Sequence, residues 1–288
     1  MATNNDIPDL AVFGSGRGDF RLPCGYVDEK GRVFNHIYLK EQSGVEDDIM
    51  DDDELNVSER MSRVIANCTE KLTTESNEPG SAITDRTIID AAVCDQLKSP
   101  ALPFSIPDRM ACLLFLRRIS VGDKYDITRK CPECEKPLKD KHIMLSSLKI
   151  YYCKDATKRR VKVKLPRSGK EAVLRVLSAS GERRIAEMRV TMKDAKSAAI
   201  LARLESIDGQ MLSGNNEKDM AAVKALSKLD RKALIDTFNA MEGSIETEVE
   251  VKCDKVSCGA EFKFDLDLGQ IFFSNPESGI KAETLTWM

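Results

Sequence analysis

The sequence predicts an α+β fold: helical segments plus antiparallel strands, with a four-cysteine, zinc-ribbon-like module assembled from two distant knuckles. Three observations carry that prediction. Apolar residues recur at helical spacing, as at Met61, Val64, Ile65 and Cys68, where positions three and four apart share a face. Elsewhere apolar and charged residues alternate, as Val161, Val163 and Leu165 do with Lys162 and Lys164, which is the period of a strand with one solvated face. Finally, Cys131 pairs closely with Cys134, and Cys253 with Cys258.

Taken in order, Met1 to Gly18 is polar and glycine-rich, and residues 1–19 are expected to form an arm without its own core. Its Val12–Gly18 stretch superficially resembles a dinucleotide loop but runs into Phe20–Pro23 instead of opening a helix. Residues 20–122 should hold a hairpin and a helical region. Leu22 to Tyr26 and Val33 to Leu39 flank a polar turn ending in Gly31, a hairpin signal. Ser43 precedes a short acidic helix through Asp53, and the acidic run from Glu46 to Glu54 reads as a solvated face. A helix from Ser58 carries the stripe Met61, Val64, Ile65, Cys68 and Leu72, and another is expected over Thr87 to Leu97. Ser105, Pro107 and Asp108 form a capping box with proline in the first turn. They open the most apolar helix, which ends at Gly122.

Residues 123–177 contain the first knuckle and two strands around the turn at Arg167–Gly169. Residues 178–244 form a helical region, with helices over Ser178 to Ile207 and Asn216 to Met241. Residues 245–273 hold the second knuckle, strands and a short apolar helix near Leu268 to Phe273. Residues 274–288 form a C-terminal tail. Both ends carry isolated apolar anchors, notably Ile7, Leu10 and Phe13 in the arm and Leu285 and Trp287 in the tail. Segments of this kind order on a partner, and tryptophan is a frequent hot-spot residue.

Composition bounds the function. The 288 residues are 42% hydrophobic and 32% charged, with net charge −3 and only 6% aromatic. That balance argues against indiscriminate polyanion binding and against an aromatic stacking platform for nucleic acid. No apolar run reaches the roughly 20 residues that span a bilayer, so no membrane partner is expected. Met1 to Leu10 lacks the basic-then-apolar order of a secretory signal. With only His36 and His142, a multi-histidine metalloenzyme is excluded.

The cysteine pairs are the strongest chemical signal among nine cysteines. Thiolates with two to four residues between them can face one tetrahedral zinc across a tight turn. Pro132 stiffens the first turn, and Gly259 follows the second pair, where positive φ is often needed. Similar flanks surround both: β-formers at Tyr125 and Ile127, or Val249 and Val251, lead in, and alternating strands lead out. Joining the half-sites closes a long loop at a cost on the order of 4 kcal/mol, whereas structural zinc contributes about 10–16 kcal/mol in peptides. One Zn2+ on Cys131, Cys134, Cys253 and Cys258 is therefore expected. Open alternatives are metal-free knuckles, a redox role for Cys131 and Cys134, or Cys153 or His142 replacing one ligand.

All-cysteine ligation leaves no open position for catalytic water, so the site reads as a staple. Cys68 and Cys112 read as small hydrophobes, Cys153 as a surface or packed thiol, and Cys24 and Cys94 as lacking ligand-like neighbours. The basic strand from Lys158 to Arg167 could track phosphates, although its alternation also describes one solvated face. No nucleophile–base pair or phosphate loop is evident, so no catalytic residue and no enzyme activity are expected.

The order of these features resembles the tailed-bacteriophage baseplate family typified by the T-even baseplate hub subunit, also labelled tail assembly proteins. The carrying segments are Phe20–Pro23 with its hairpin, Glu46–Ile49, Asp108–Arg117, Gly122–Tyr125 running into Cys131–Cys134, Leu165–Gly169, Val173–Arg175 and the knuckle at Cys253. The resemblance implies a non-enzymatic virion protein that contacts other tail and baseplate subunits. It would stand in multiple copies in a symmetric assembly, in the virion tail and, before that, in the host cytoplasm. Two other readings remain: an assembly chaperone absent from the mature particle, and a zinc-ribbon nucleic-acid-binding regulator.

Overall fold

The computed structural model describes residues 17–76, 80–97, 100–127, 129–138, 141–179, 181, 185, 195–213, 216–266 and 271–272. They form an α+β structure of antiparallel sheets and seven described helices. The anchors Ile7, Leu10, Phe13, Leu285 and Trp287 lie outside the described residues.

The first core is a four-stranded sheet in the order β1 (Arg17–Val27), β2 (Val33–Lys40), β3 (Thr69–Thr73), β4 (Ala82–Ile83). The expected hairpin forms, and β1 starts already at Arg17, inside the stretch read as an arm. Packed on it are α1 (Gly44–Asp51), α2 (Val57–Cys68), α3 (Arg86–Cys94) and α4 (Ile106–Ser120). Fully buried Phe20, Phe34, Ile37, Val64, Ile65, Leu113 and Phe115 fill the space between them. Phe20 stacks on Phe115 with ring centroids 4.3 Å apart.

Between Arg21 and Tyr26 the β1–β2 register shifts. Gly25 sits there at φ +81°, and a Cβ would collide with the Phe34 carbonyl oxygen. The α4 capping box completes the bulge. Asp108 accepts from the Ser105 N–H and hydroxyl, and also from the N–H groups of Cys24 at 2.7 Å and Gly25 at 3.0 Å. One buried carboxylate thus fixes the strand against the helix start.

The second core joins the sheet β11–β10–β9–β8 to three helices. Its strands are β8 (Arg160–Lys164), β9 (Glu171–Arg175), β10 (Leu204–Ile207) and β11 (Gln210–Met211). The helices are α5 (Ala195–Arg203), α6 (Asn216–Ala225) and α7 (Lys228–Glu242). Leu174, Ile200, Leu201, Val223 and Leu234 are buried between them. Arg203 and Glu242 make a two-pronged buried ion pair at 2.8 and 2.7 Å.

Four expectations need correction. The helix from Ser58 stops at Cys68, and Leu72 points inward from β3 instead. The helix expected to reach Ile207 ends at Arg203, where Leu204 and Ser206 turn inward as a strand. The helix from Asn216 to Met241 divides at Ser227, whose hydroxyl accepts from the Asp230 N–H and caps α7. Glu46 is no part of a solvated face: it is fully buried, accepting from Ser43 N–H and hydroxyl and from Asn67. Three hydrogen bonds hold this carboxylate at the helix start, while its neighbours Val45, Asp47 and Asp48 are exposed.

Candidate metal centre

After α4 the chain makes β5 (Lys124–Asp126), turns through the first knuckle, and returns as β6 (His142–Met144). After β12 (Ser244–Ile245) the second knuckle joins β13 (Glu248–Lys252) to β14 (Glu261–Asp265), with Val249 opposite Phe264 and Val251 opposite Phe262. Inward-facing residues of the two hairpins meet: Ile127, Leu138 and Val251 are buried together against Ile143, Phe262 and Phe264. A second cluster, Leu145, Leu266 and Ile271 with Leu114 of α4, seats this pair of hairpins on the first core. Lys141 and Asp254 add an ion pair at 2.7 Å between the knuckles.

Both knuckles use one turn geometry. Cys131 N–H donates to the Lys136 carbonyl, as Cys253 N–H does to that of Ala260, both at 2.8 Å. The residue after the second sulfur is left-handed in each case, Glu135 at φ +57° and Gly259 at +58°. In the longer knuckle the tight turn begins at Lys255, whose carbonyl accepts from the N–H groups of Cys258 and Gly259. The stretched spacing is therefore absorbed before the turn.

The four sulfurs of Cys131, Cys134, Cys253 and Cys258 converge, all within 4.8 Å of one another. Two contacts cross between the knuckles: Cys131 to Cys258 at 3.9 Å and Cys134 to Cys253 at 3.7 Å. A tetrahedral ion with metal–sulfur bonds of about 2.3 Å has sulfur–sulfur edges of about 3.8 Å. The donor set fits such an ion. Cys131 and Cys253 are buried, and Cys134 and Cys258 are partly so.

The proton balance of the thiols points the same way. Burial opposes ionisation of Cys131, but the N–H groups of Cys134 and Glu133 and the neighbouring thiols draw it down to about 7. At Cys253 the Lys255 N–H favours the thiolate, yet burial and the other three sulfurs push it up to about 12. Cys258 is raised despite the Ala260 N–H, through burial and the sulfurs of Cys134 and Cys131. One proton leaves readily, and the accumulating negative charge holds the others back. A divalent cation bound there would supply the missing positive charge.

The chain matches the family described as T4 bacteriophage base plate protein over residues 34–274, more than four-fifths of its length and inclusive of both knuckles. It belongs to that baseplate family. No curated protein and no solved structure matches the chain.

In this baseplate protein the other candidates fall elsewhere. His142 lies on β6 and Cys153 beyond β7 (Ile150–Tyr151), and neither joins the four sulfurs. The basic strand β8 is matched by acids of the same sheet: Lys162 pairs with Glu171 of β9 at 3.0 Å, and Arg160 pairs with Glu205 of β10. Among the described residues no helix is long and apolar enough to cross a membrane. Sequence reasoning missed the meeting of Cys24 and Cys153, which are far apart in the chain and carry no motif.

Proposed function

We propose that this baseplate protein is a non-enzymatic structural subunit of a contractile tail, working through protein–protein contacts and stapled by one Zn2+ on Cys131, Cys134, Cys253 and Cys258. The observation that carries the reading is the family match extending across both halves of the four-sulfur cluster. Zinc at this place holds two hairpins from distant parts of the chain in one orientation, and both rest on α4. A subunit loaded mechanically keeps its shape better when such a joint is coordinated than when it is only packed.

Its partners are other tail and baseplate subunits, met in several copies within the particle, and the terminal arms supply part of the contact through Ile7, Leu10, Phe13, Leu285 and Trp287. Quantitative mass spectrometry of purified particles, with elemental analysis of the purified protein under reducing conditions, tests the reading. The expected result is a stoichiometric virion component with one zinc per chain. Absence from particles would make the protein an assembly factor instead, and absence of zinc would remove the staple. Deleting Ser274 to Met288 should lower incorporation while zinc content stays unchanged.

A further inference from the structure

Two cysteines outside the knuckles meet where the two cores join. Cys24 lies on β1 and Cys153 just after β7, and their side chains pack against each other. The backbones are held side by side: Cys153 N–H donates to the Pro23 carbonyl at 2.9 Å, and Cys24 N–H to Asp108. Both belong to a small apolar cluster with Val27, Ala156 and Leu102. The Cys24 sulfur also contacts the Glu242 carbonyl at 3.3 Å, at the end of α7. Cys24 is 2% exposed, whereas Cys153 is only partly buried.

We propose that Cys24 and Cys153 are a modification site, a dithiol that closes to an intramolecular disulfide when the protein meets a low-molecular-weight disulfide such as oxidised glutathione. Bridging needs backbones within a few ångströms of each other, which the Cys153–Pro23 bond provides. The two thiols are also unequal. The neighbouring Cys24 thiol lowers Cys153, against its burial, while Cys153 and burial push Cys24 up, and the Cys24 thiol is engaged by the Glu242 carbonyl.

Cys153 is accordingly the attacking group. Its thiolate displaces one sulfur of the small disulfide, which leaves as a thiolate, and Cys153 becomes a mixed disulfide. Cys24 then gives its proton to the departing thiolate and its sulfur attacks that of Cys153, releasing the second small thiol. Two protein thiols are oxidised and one small disulfide is reduced to two thiols. A reducing cytoplasm keeps the pair open, and an oxidising medium closes it. The bond would tie β1 covalently to the segment that leads into β8, across the junction of the two cores.

The test uses the full-length zinc-loaded chain with excess oxidised glutathione, followed by alkylation of free thiols and peptide mass spectrometry. A linked Cys24–Cys153 peptide should account for most of both cysteines, preceded by a transient glutathione adduct on Cys153. A Cys24→Ser chain should lose the link and keep a stable adduct on Cys153. If that variant fails to fold, the time course on the unaltered chain decides alone. Both thiols alkylated, a lasting Cys153 adduct beside free Cys24, or a link to any other cysteine would overturn the proposal. Zinc content followed in parallel distinguishes closure of this pair from oxidation of the knuckles.

Discussion

The first core and the pair of knuckle hairpins solve the same problem with different means. In the core, Phe20, Phe34, Ile37, Leu39, Ile65, Leu72, Leu113 and Phe115 are all essentially inaccessible to water. Fully burying one such side chain is worth about 1.5–3 kcal/mol, so packing alone supplies a large stabilising term. Among the described residues, the cysteines aside, the cluster the hairpins bury between them is Ile127, Leu138 and Val251, each still 5–9% exposed. Each hairpin is also only two-stranded, an arrangement that is marginal in water. What the hairpins lack in packing, four converging sulfurs can supply through a metal. On the proposed reading, one region is held by area and the other by coordination.

The largest effect should come from removing the metal. Structural zinc is worth on the order of 10–16 kcal/mol in peptide systems, far beyond what three partly covered side chains provide. Chelation, or Cys131→Ser, should therefore abolish amide-exchange protection in β5, β6, β13 and β14 while β1, β2 and α2 stay protected. Hydrogen exchange followed by mass spectrometry reads this directly. Loss of protection throughout the chain would show that the two regions are one cooperative unit, and the contrast drawn above would fail.

The reverse experiment is a cavity in the core. Phe115→Ala removes the ring stacked on Phe20 and should cost about 3–5 kcal/mol. The denaturant midpoint of the core should fall accordingly, with zinc content unchanged at low denaturant. A variant that lost zinc as readily as it lost core stability would mean that Leu114 and its partners on α4 transmit the damage to the hairpins.

Local chemistry decided what could be read from the sequence. The α4 start was legible because Ser105, Pro107 and Asp108 make a capping box. The knuckles were legible because thiolate spacing is a geometric requirement. The boundary at Cys68 was not. Leu72 follows Cys68 by four residues, so it continues a helical stripe and equally serves as an inward residue of a strand. Tertiary pairing of β3 with β2 settles that choice, and no local signal does. Leu204 to Ile207 is the same case, resolved by pairing with β9. Glu46 and the Cys24–Cys153 contact depend on neighbours brought in by folding, so composition and spacing could not reveal them.

The smallest effect separates the two knuckles from each other. Both need a left-handed residue after the second sulfur, and the first uses Glu135 where the second uses Gly259. An L-residue held there costs about 1–2 kcal/mol, whereas glycine avoids the clash and loses more chain entropy on folding, about 0.5–1 kcal/mol. The two substitutions should therefore be opposite in sign. Gly259→Ala introduces backbone strain without a steric clash, because no atom lies within 4 Å of the added Cβ, and recovers part of that cost in chain entropy. It should weaken zinc binding by about 1 kcal/mol, roughly fivefold. Glu135→Gly removes strain but adds entropy, so it should strengthen binding by no more than about twofold to threefold on the same reckoning. Competition with a chromophoric chelator gives both values on one scale. If Gly259→Ala bound zinc as tightly as the unaltered chain, the left-handed turn would not be setting the ligand geometry, and the likeness of the two knuckles would be one of outline only.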